Sequence, residues 1–115
     1  MRILVCGGRD FTDSRALYRA LDRVNAKHGI THIISGGAGG ADKLAENYAD
    51  SINAWKCIYP ADWETHGKAA GPMRNQLMVD EGKPDACVAF PGGRGTADMI
   101  ARCKKAGIPV WEPMK

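Results

Sequence analysis

A chain of 115 residues that is 44% apolar and 25% charged has the makeup of one ordinary globular domain, long enough for a real core. Its net charge of +3 is mild, and its Lys and Arg are scattered without a block of like charge, so composition demands no nucleic-acid partner. No apolar run reaches the roughly 20 residues of a membrane span, Arg9 and Asp10 interrupt the N-terminus too early for a signal peptide, and a cytoplasmic setting is expected.

Arg2 to Cys6 reads as a buried strand and runs into Gly7-Gly8-Arg9-Asp10-Phe11-Thr12-Asp13. Ser14 to His28 reads as a helix, because Leu17, Ala20, Leu21 and Val24 recur at three- and four-residue spacing, and Gly29 stops it. Thr31 to Ser35 is a second strand, followed by Gly36-Gly37-Ala38-Gly39-Gly40-Ala41-Asp42 and a helix from Asp42 to Ser51. Ala54 to Tyr59 is a third strand. Pro60 to Gly71 is the longest and least regular connection, and a loop of that length on a small domain carries function more often than not. Within it Trp63 reads as a lid residue able to stack on a base, and His66 as a solvated histidine. Pro72 suits the first turn of a helix that holds Met73, Arg74, Leu77 and Met78 and ends near Gly82. Ala86 to Phe90 is the fourth strand, leading into Pro91-Gly92-Gly93-Arg94-Gly95-Thr96-Ala97-Asp98. A last helix runs from about Thr96 to Ala106, and Ile108, Val110 and Trp111 form a fifth strand. Trp55 and Trp111 read as core or interface residues. Cys6, Cys57, Cys87 and Cys103 lie in apolar runs without a C-x-x-C pair, which fits buried reduced thiols and gives no metal-ligand spacing with His28, His32 or His66.

Alternating strands and helices with apolar strands imply an α/β fold: a Rossmann-like three-layer α/β/α sandwich, one domain over residues 1–115, around a five-stranded parallel sheet of order 3-2-1-4-5. The switch point then falls between the first and fourth strands, where open α/β sheets bind ligands beyond the carboxyl ends of their strands. The three glycine loops meet at that edge. Each has a Gly-Gly pair with an aspartate six positions after the first glycine. A strand feeding a glycine-rich turn and a helix start leaves backbone N–H groups without partners in front of the positive end of the helix dipole, a setting for phosphate. The spacing is neither G-x-G-x-x-G nor a Walker A lysine motif, which disfavours a dehydrogenase or a P-loop ATPase.

The residues singled out follow from this. Gly92, Gly93, Gly95 and Thr96 hold the phosphate by N–H groups and one hydroxyl, while Gly7, Gly8, Gly36 and Gly37 shape the floor. Arg9 and Arg94 lie in the loops, where phosphate contact and plain solvation are equally open. Arg74 at a helix start opposes the dipole, so phosphate or ribose contact is favoured over a surface ion pair, with Asn75 beside it. Asp13 and Asp42 read as carboxylates complementing helix dipoles; for Asp98 that reading and a catalytic one both stand.

These stretches resemble the SLOG superfamily, in particular its small YspA-type branch. The resemblance is carried by Val5-Cys6-Gly7-Gly8-Arg9-Asp10-Phe11, Ser35 to Asp42, Pro60-Ala61-Asp62-Trp63, Gly67 to Asn75 and Pro91 to Met99. It implies a nucleotide or nucleotide-derived ligand (a nucleoside monophosphate, or an NAD- or ADP-ribose-like molecule), no separate cofactor, a source among phages or bacteria, and a possible homodimer or higher homo-oligomer. The superfamily includes the Lonely Guy phosphoribohydrolases, which cleave the N-glycosidic bond of nucleoside 5′-monophosphates and carry P-G-G-x-G-T-x-x-E with an upstream Arg-Lys. Pro91 to Thr96 matches, but Met99 stands at the glutamate and Asn75 at the lysine. The resemblance therefore supports nucleotide binding above hydrolysis. If there is hydrolysis, Arg74 and Asp98 are the catalytic pair; the alternative is a ligand sensor without chemistry. Single-stranded nucleic acid, bound by a related domain of the DNA-processing protein A family, is disfavoured by the mild charge.

Overall fold

The computed structural model describes residues 1–115. Five strands, β1 (Arg2–Cys6), β2 (His32–Ser35), β3 (Trp55–Ile58), β4 (Ala86–Ala89) and β5 (Val110–Trp111), form one parallel sheet in the order β3-β2-β1-β4-β5. This is the expected order, and it follows from the chain's single reversal. β1 pairs with β2 on one side (Ile3 opposite Ile33) and with β4 on the other (Ile3 opposite Ala86), so it is central. A central parallel strand is covered on both faces, which is why Ile3, Leu4 and Val5 are all fully buried.

Alternation along the strands divides the core in two. Ile3, Val5, Ile33, Val88 and Phe90 face helices α1 (Ser14–His28) and α2 (Ala41–Ser51), against Leu17, Leu21, Ala45 and Tyr48. Leu4, Cys6, Ile34, Cys87 and Ala89 face α4 (Ala70–Asp80) and α5 (Arg94–Lys105), against Met78, Val79, Met99 and Cys103. α1 starts where Asp13 accepts the Ala16 N–H at 3.0 Å and stops at Gly29, which takes a left-handed φ of 74°. None of the helices is long and apolar enough to cross a membrane. All four cysteines are free.

Three expectations are corrected. The stretch from Pro60 to Gly71 is mostly helical: Asp62 caps a short helix α3 (Trp63–His66) by accepting the Thr65 N–H at 3.2 Å, and a 3₁₀ turn (Gly67–Ala69) leads straight into α4. α4 therefore begins at Ala70, which puts Arg74 in its second turn rather than its first. α5 begins at Arg94, two residues before Thr96, so Gly95 and Thr96 belong to its first turn. Of the two readings of Trp55, core and interface, the first does not hold: it stands on the edge strand β3 and is 73% exposed.

Candidate functional site

The first and second glycine loops are joined to each other and to the third through Gly8. Its N–H donates to the Pro91 carbonyl at 2.8 Å, and its carbonyl accepts the Ala41 N–H at 3.2 Å. Two other glycines make this close approach feasible. At Gly40 φ is 60°, and a Cβ would run into the Gly8 and Arg9 carbonyls; at Gly92 a Cβ would run into Thr96 Oγ1 and the Gly8 nitrogen. With its amide committed to Pro91, Gly8 has no free N–H to offer the rim.

The start of α5 offers N–H groups instead. Gly93 occupies the N-cap position and offers no side-chain cap. The first intrahelical acceptor is the Gly93 carbonyl, bonded by Ala97 N–H at 3.1 Å, so the N–H groups of Arg94, Gly95 and Thr96 have no helical partner. These residues line a cavity of about 710 Å³ bounded below by Cys6, Gly7, Gly8 and Gly36 and on its flank by Pro72, Arg74, Asn75 and Met78. Thr96 is 8% exposed and its Oγ1 has no hydrogen-bond partner in the chain. The cavity mouth is basic: Arg9, Lys68 and Arg94 are exposed and form no ion pair, and the Arg9 guanidinium lies 5.5 Å from the centre of the Trp63 ring.

Of the predicted residues, Gly7, Gly8, Arg9, Gly36, Arg74, Asn75, Gly93, Arg94, Gly95, Thr96 and Asp98 meet at this cavity. Gly37 lies in an adjoining hollow beside Pro60, and Gly92 packs behind Thr96. His66 is exposed on α3 and outside the cavity. Arg74 is half-buried and largely engaged: Nη1 donates to the Gly36 carbonyl at 2.6 Å and Nε to Asn75 Oδ1 at 3.0 Å. Burial works against its charge and lowers its pKa, while Asp42 opposes that shift. Asn75 Nδ2 in turn donates to Asp98 Oδ2 at 2.9 Å and to the Gly95 carbonyl at 3.2 Å, tying α4 to the first turns of α5.

Asp98 sits in the second turn of α5, not at its start. Burial pushes its pKa up, but donation from Arg102 Nε at 2.8 Å and from Asn75 outweighs this and leaves it below the ordinary carboxylate value. It is therefore an ionised group at the cavity wall, suited to stabilising positive charge and unsuited to giving up a proton. Met99, the next residue, is 1% exposed and packs in the core with Leu4 and Met78. Asp42 exceeds its expected dipole role. It lines the cavity at 7% exposure, accepts the Ala38 N–H at 3.2 Å, and has its pKa raised by burial against the pull of Ala38 and Arg74. The only signal for it in the sequence was the shared six-residue spacing that also marks Asp98.

A family model described as "YspA, cpYpsA-related SLOG family" matches residues 1–66, more than half of the chain. The chain belongs to this SLOG family. The match runs from β1 through α3 and takes in the first two glycine loops. A relative, the Gene 61 protein of Mycobacterium phage D29, is 40% identical over 118 residues, covering 95% of this chain and 93% of its own length. That alignment, unlike the family match, also takes in α4 and the third loop.

Proposed function

We propose that the cavity binds a nucleotide or nucleotide-derived ligand, a nucleoside monophosphate or an NAD- or ADP-ribose-like molecule. Its phosphate meets the N–H groups of Arg94, Gly95 and Thr96 and the Thr96 hydroxyl. The observation that carries this reading is the uncapped α5 N-terminus opening into a cavity of about 710 Å³, within the range of small-molecule sites. Membership of the SLOG family, the basic mouth formed by Arg9, Lys68 and Arg94, and the half-exposed Trp63 ring as a stacking partner for a base all support it. Gly7, Gly8, Gly36 and Gly37 form the floor beneath the sugar, and Asn75 holds the wall beside it.

In the hydrolytic version, water adds to the ribose anomeric carbon, the C1′–N bond breaks and the base departs with a proton. Asp98 stabilises the positive charge developing on the ribose and Arg74 polarises the sugar. A specific observation favours the other version, a ligand sensor without chemistry. The position of the signature glutamate is Met99, sealed in the core, and the neighbouring carboxylate is already held by Asn75 and Arg102. Calorimetric titration with AMP, ADP-ribose and adenosine, followed by chromatography for free adenine, tests both versions. Binding that needs the phosphate and releases no base supports the sensor. Base release that is lost in Asp98→Asn supports the hydrolase. Equal affinity for adenosine and AMP, or no binding at all, overturns the proposal.

A further inference from the structure

The basic residues on the outer side of α1, Arg15, Arg19, Arg23 and Lys27, recur at every fourth position. In the linear sequence they look scattered. On a helix each step of four is about 6 Å along the axis and about 40° around it, so they form one ridge roughly 18 Å long. All four are exposed, and the chain's ion pairs, Lys56–Asp50, Arg102–Asp98 and Lys115–Glu112, include none of them. Asp22, the acid on the same side of the helix, is engaged by Tyr48 Oη at 2.8 Å.

This arrangement works against the helix. Successive like charges four residues apart repel. Arg15 stands at the positive end of the dipole, where the first turn holds no acid; only Lys27, in the last turn, is favourably placed. Asp13 at the N-cap and Asp22, in one hollow with Arg15, Arg19 and Arg23, offset only part of this charge, which leaves the ridge net positive and open to an anion from outside.

We propose that this ridge docks the phosphodiester backbone of a single-stranded nucleic acid, at a place separate from the nucleotide cavity, to whose lining α1 contributes nothing. The cations repeat evenly along a ridge that turns gradually around the helix, which suits a flexible single strand able to follow it. Three of the four are arginines, whose planar fork suits phosphate oxygens. Trp111 lies beside the ridge with its ring centre 5.8 Å from the Arg23 guanidinium, is 37% exposed, and so offers an unpaired base an aromatic surface. A lipid surface would call for a row of large apolar side chains along the helix, and α1 exposes none, Trp111 standing alone beside the ridge.

The test is fluorescence anisotropy with a labelled oligothymidine over a salt series. Four phosphate contacts at about 0.7 each give a slope of about −2.8 in log K against log salt, or about a 50-fold loss of affinity between about 50 and 200 mM. The variant Arg15→Gln/Arg19→Gln/Arg23→Gln/Lys27→Gln is expected to flatten that slope with little change in melting temperature, since relief of repulsion offsets the lost Lys27 dipole and Arg23–Trp111 contacts. Should it fail to fold, Arg19→Gln and Arg23→Gln singly are each expected to reduce the slope by about 0.7. Trp111→Leu is expected to weaken binding without changing the slope. No binding at the lowest salt, or a slope indifferent to these arginines, overturns the proposal. So does tighter binding of poly-glutamate or phosphatidylserine vesicles than of the oligonucleotide, which would assign the ridge to an acidic protein or a lipid.

Discussion

Asp98 and Met99 are adjacent in the chain and about 100° apart around α5, and that angle decides which can reach a ligand. Met99 is in the core and Asp98 at the cavity wall. The sequence makes this pair visible but not its surroundings, because the Asn75 and Arg102 donors come from one residue on another helix and one on the next turn. Since its folded pKa is depressed, Asp98 adds stability above its unfolded pKa, and that stability is lost as pH falls through the folded value. Asp98→Asn is thus expected to lower stability by less than about 1 kcal/mol at pH 7, a small effect because the pair is only partly buried. The difference should shrink below about pH 4 as the wild-type carboxyl protonates, which urea unfolding at the two pH values measures. Thr96 lines the cavity, so Thr96→Val, which removes its hydroxyl, is expected to weaken AMP about tenfold, read by calorimetry, with little change in unfolding midpoint.

At the scale of elements, periodicity located α1 and α2 almost to the residue, because their apolar faces are repetitive and their ends are marked by Asp13, Gly29 and the second glycine loop. It misplaced the start of α5. Arg94-Gly95 reads as loop by propensity, yet packing of Met99 and Cys103 against the sheet and the Asn75 bond to the Gly95 carbonyl draw that turn into the helix. α3 escaped detection because four residues are too few to show a period. The loop junction is the most demanding local geometry. Gly40→Ala combines a backbone conformation that side chains avoid with contact against two fixed carbonyls, and is expected to destabilise the fold by about 2–4 kcal/mol. A drop of several degrees in melting temperature would record it. Gly93→Ala, with open space around its Cβ, is expected to be far milder in the same measurement.

For the molecule as a whole, the strand order was legible because a chain of alternating elements that returns once to its first strand has few ways to close a parallel sheet. What escaped was exposure at the margin: β3 has a neighbour on one side only, so Trp55 lacks the cover that the same kind of run gives β1. Trp55→Ser is accordingly expected to change unfolding free energy by under about 0.5 kcal/mol, while Leu21→Ala, fully buried, costs about 2–5 kcal/mol. Denaturant titration of the two variants compares them directly. The double engagement of Gly8 has a consequence for anyone who would re-engineer this rim. Because one residue holds its neighbours from both sides, a lengthened or transplanted segment at any of the three corners shifts the other two. Recombining such proteins to exchange their ligand preferences should therefore succeed only when all three corners travel as a set.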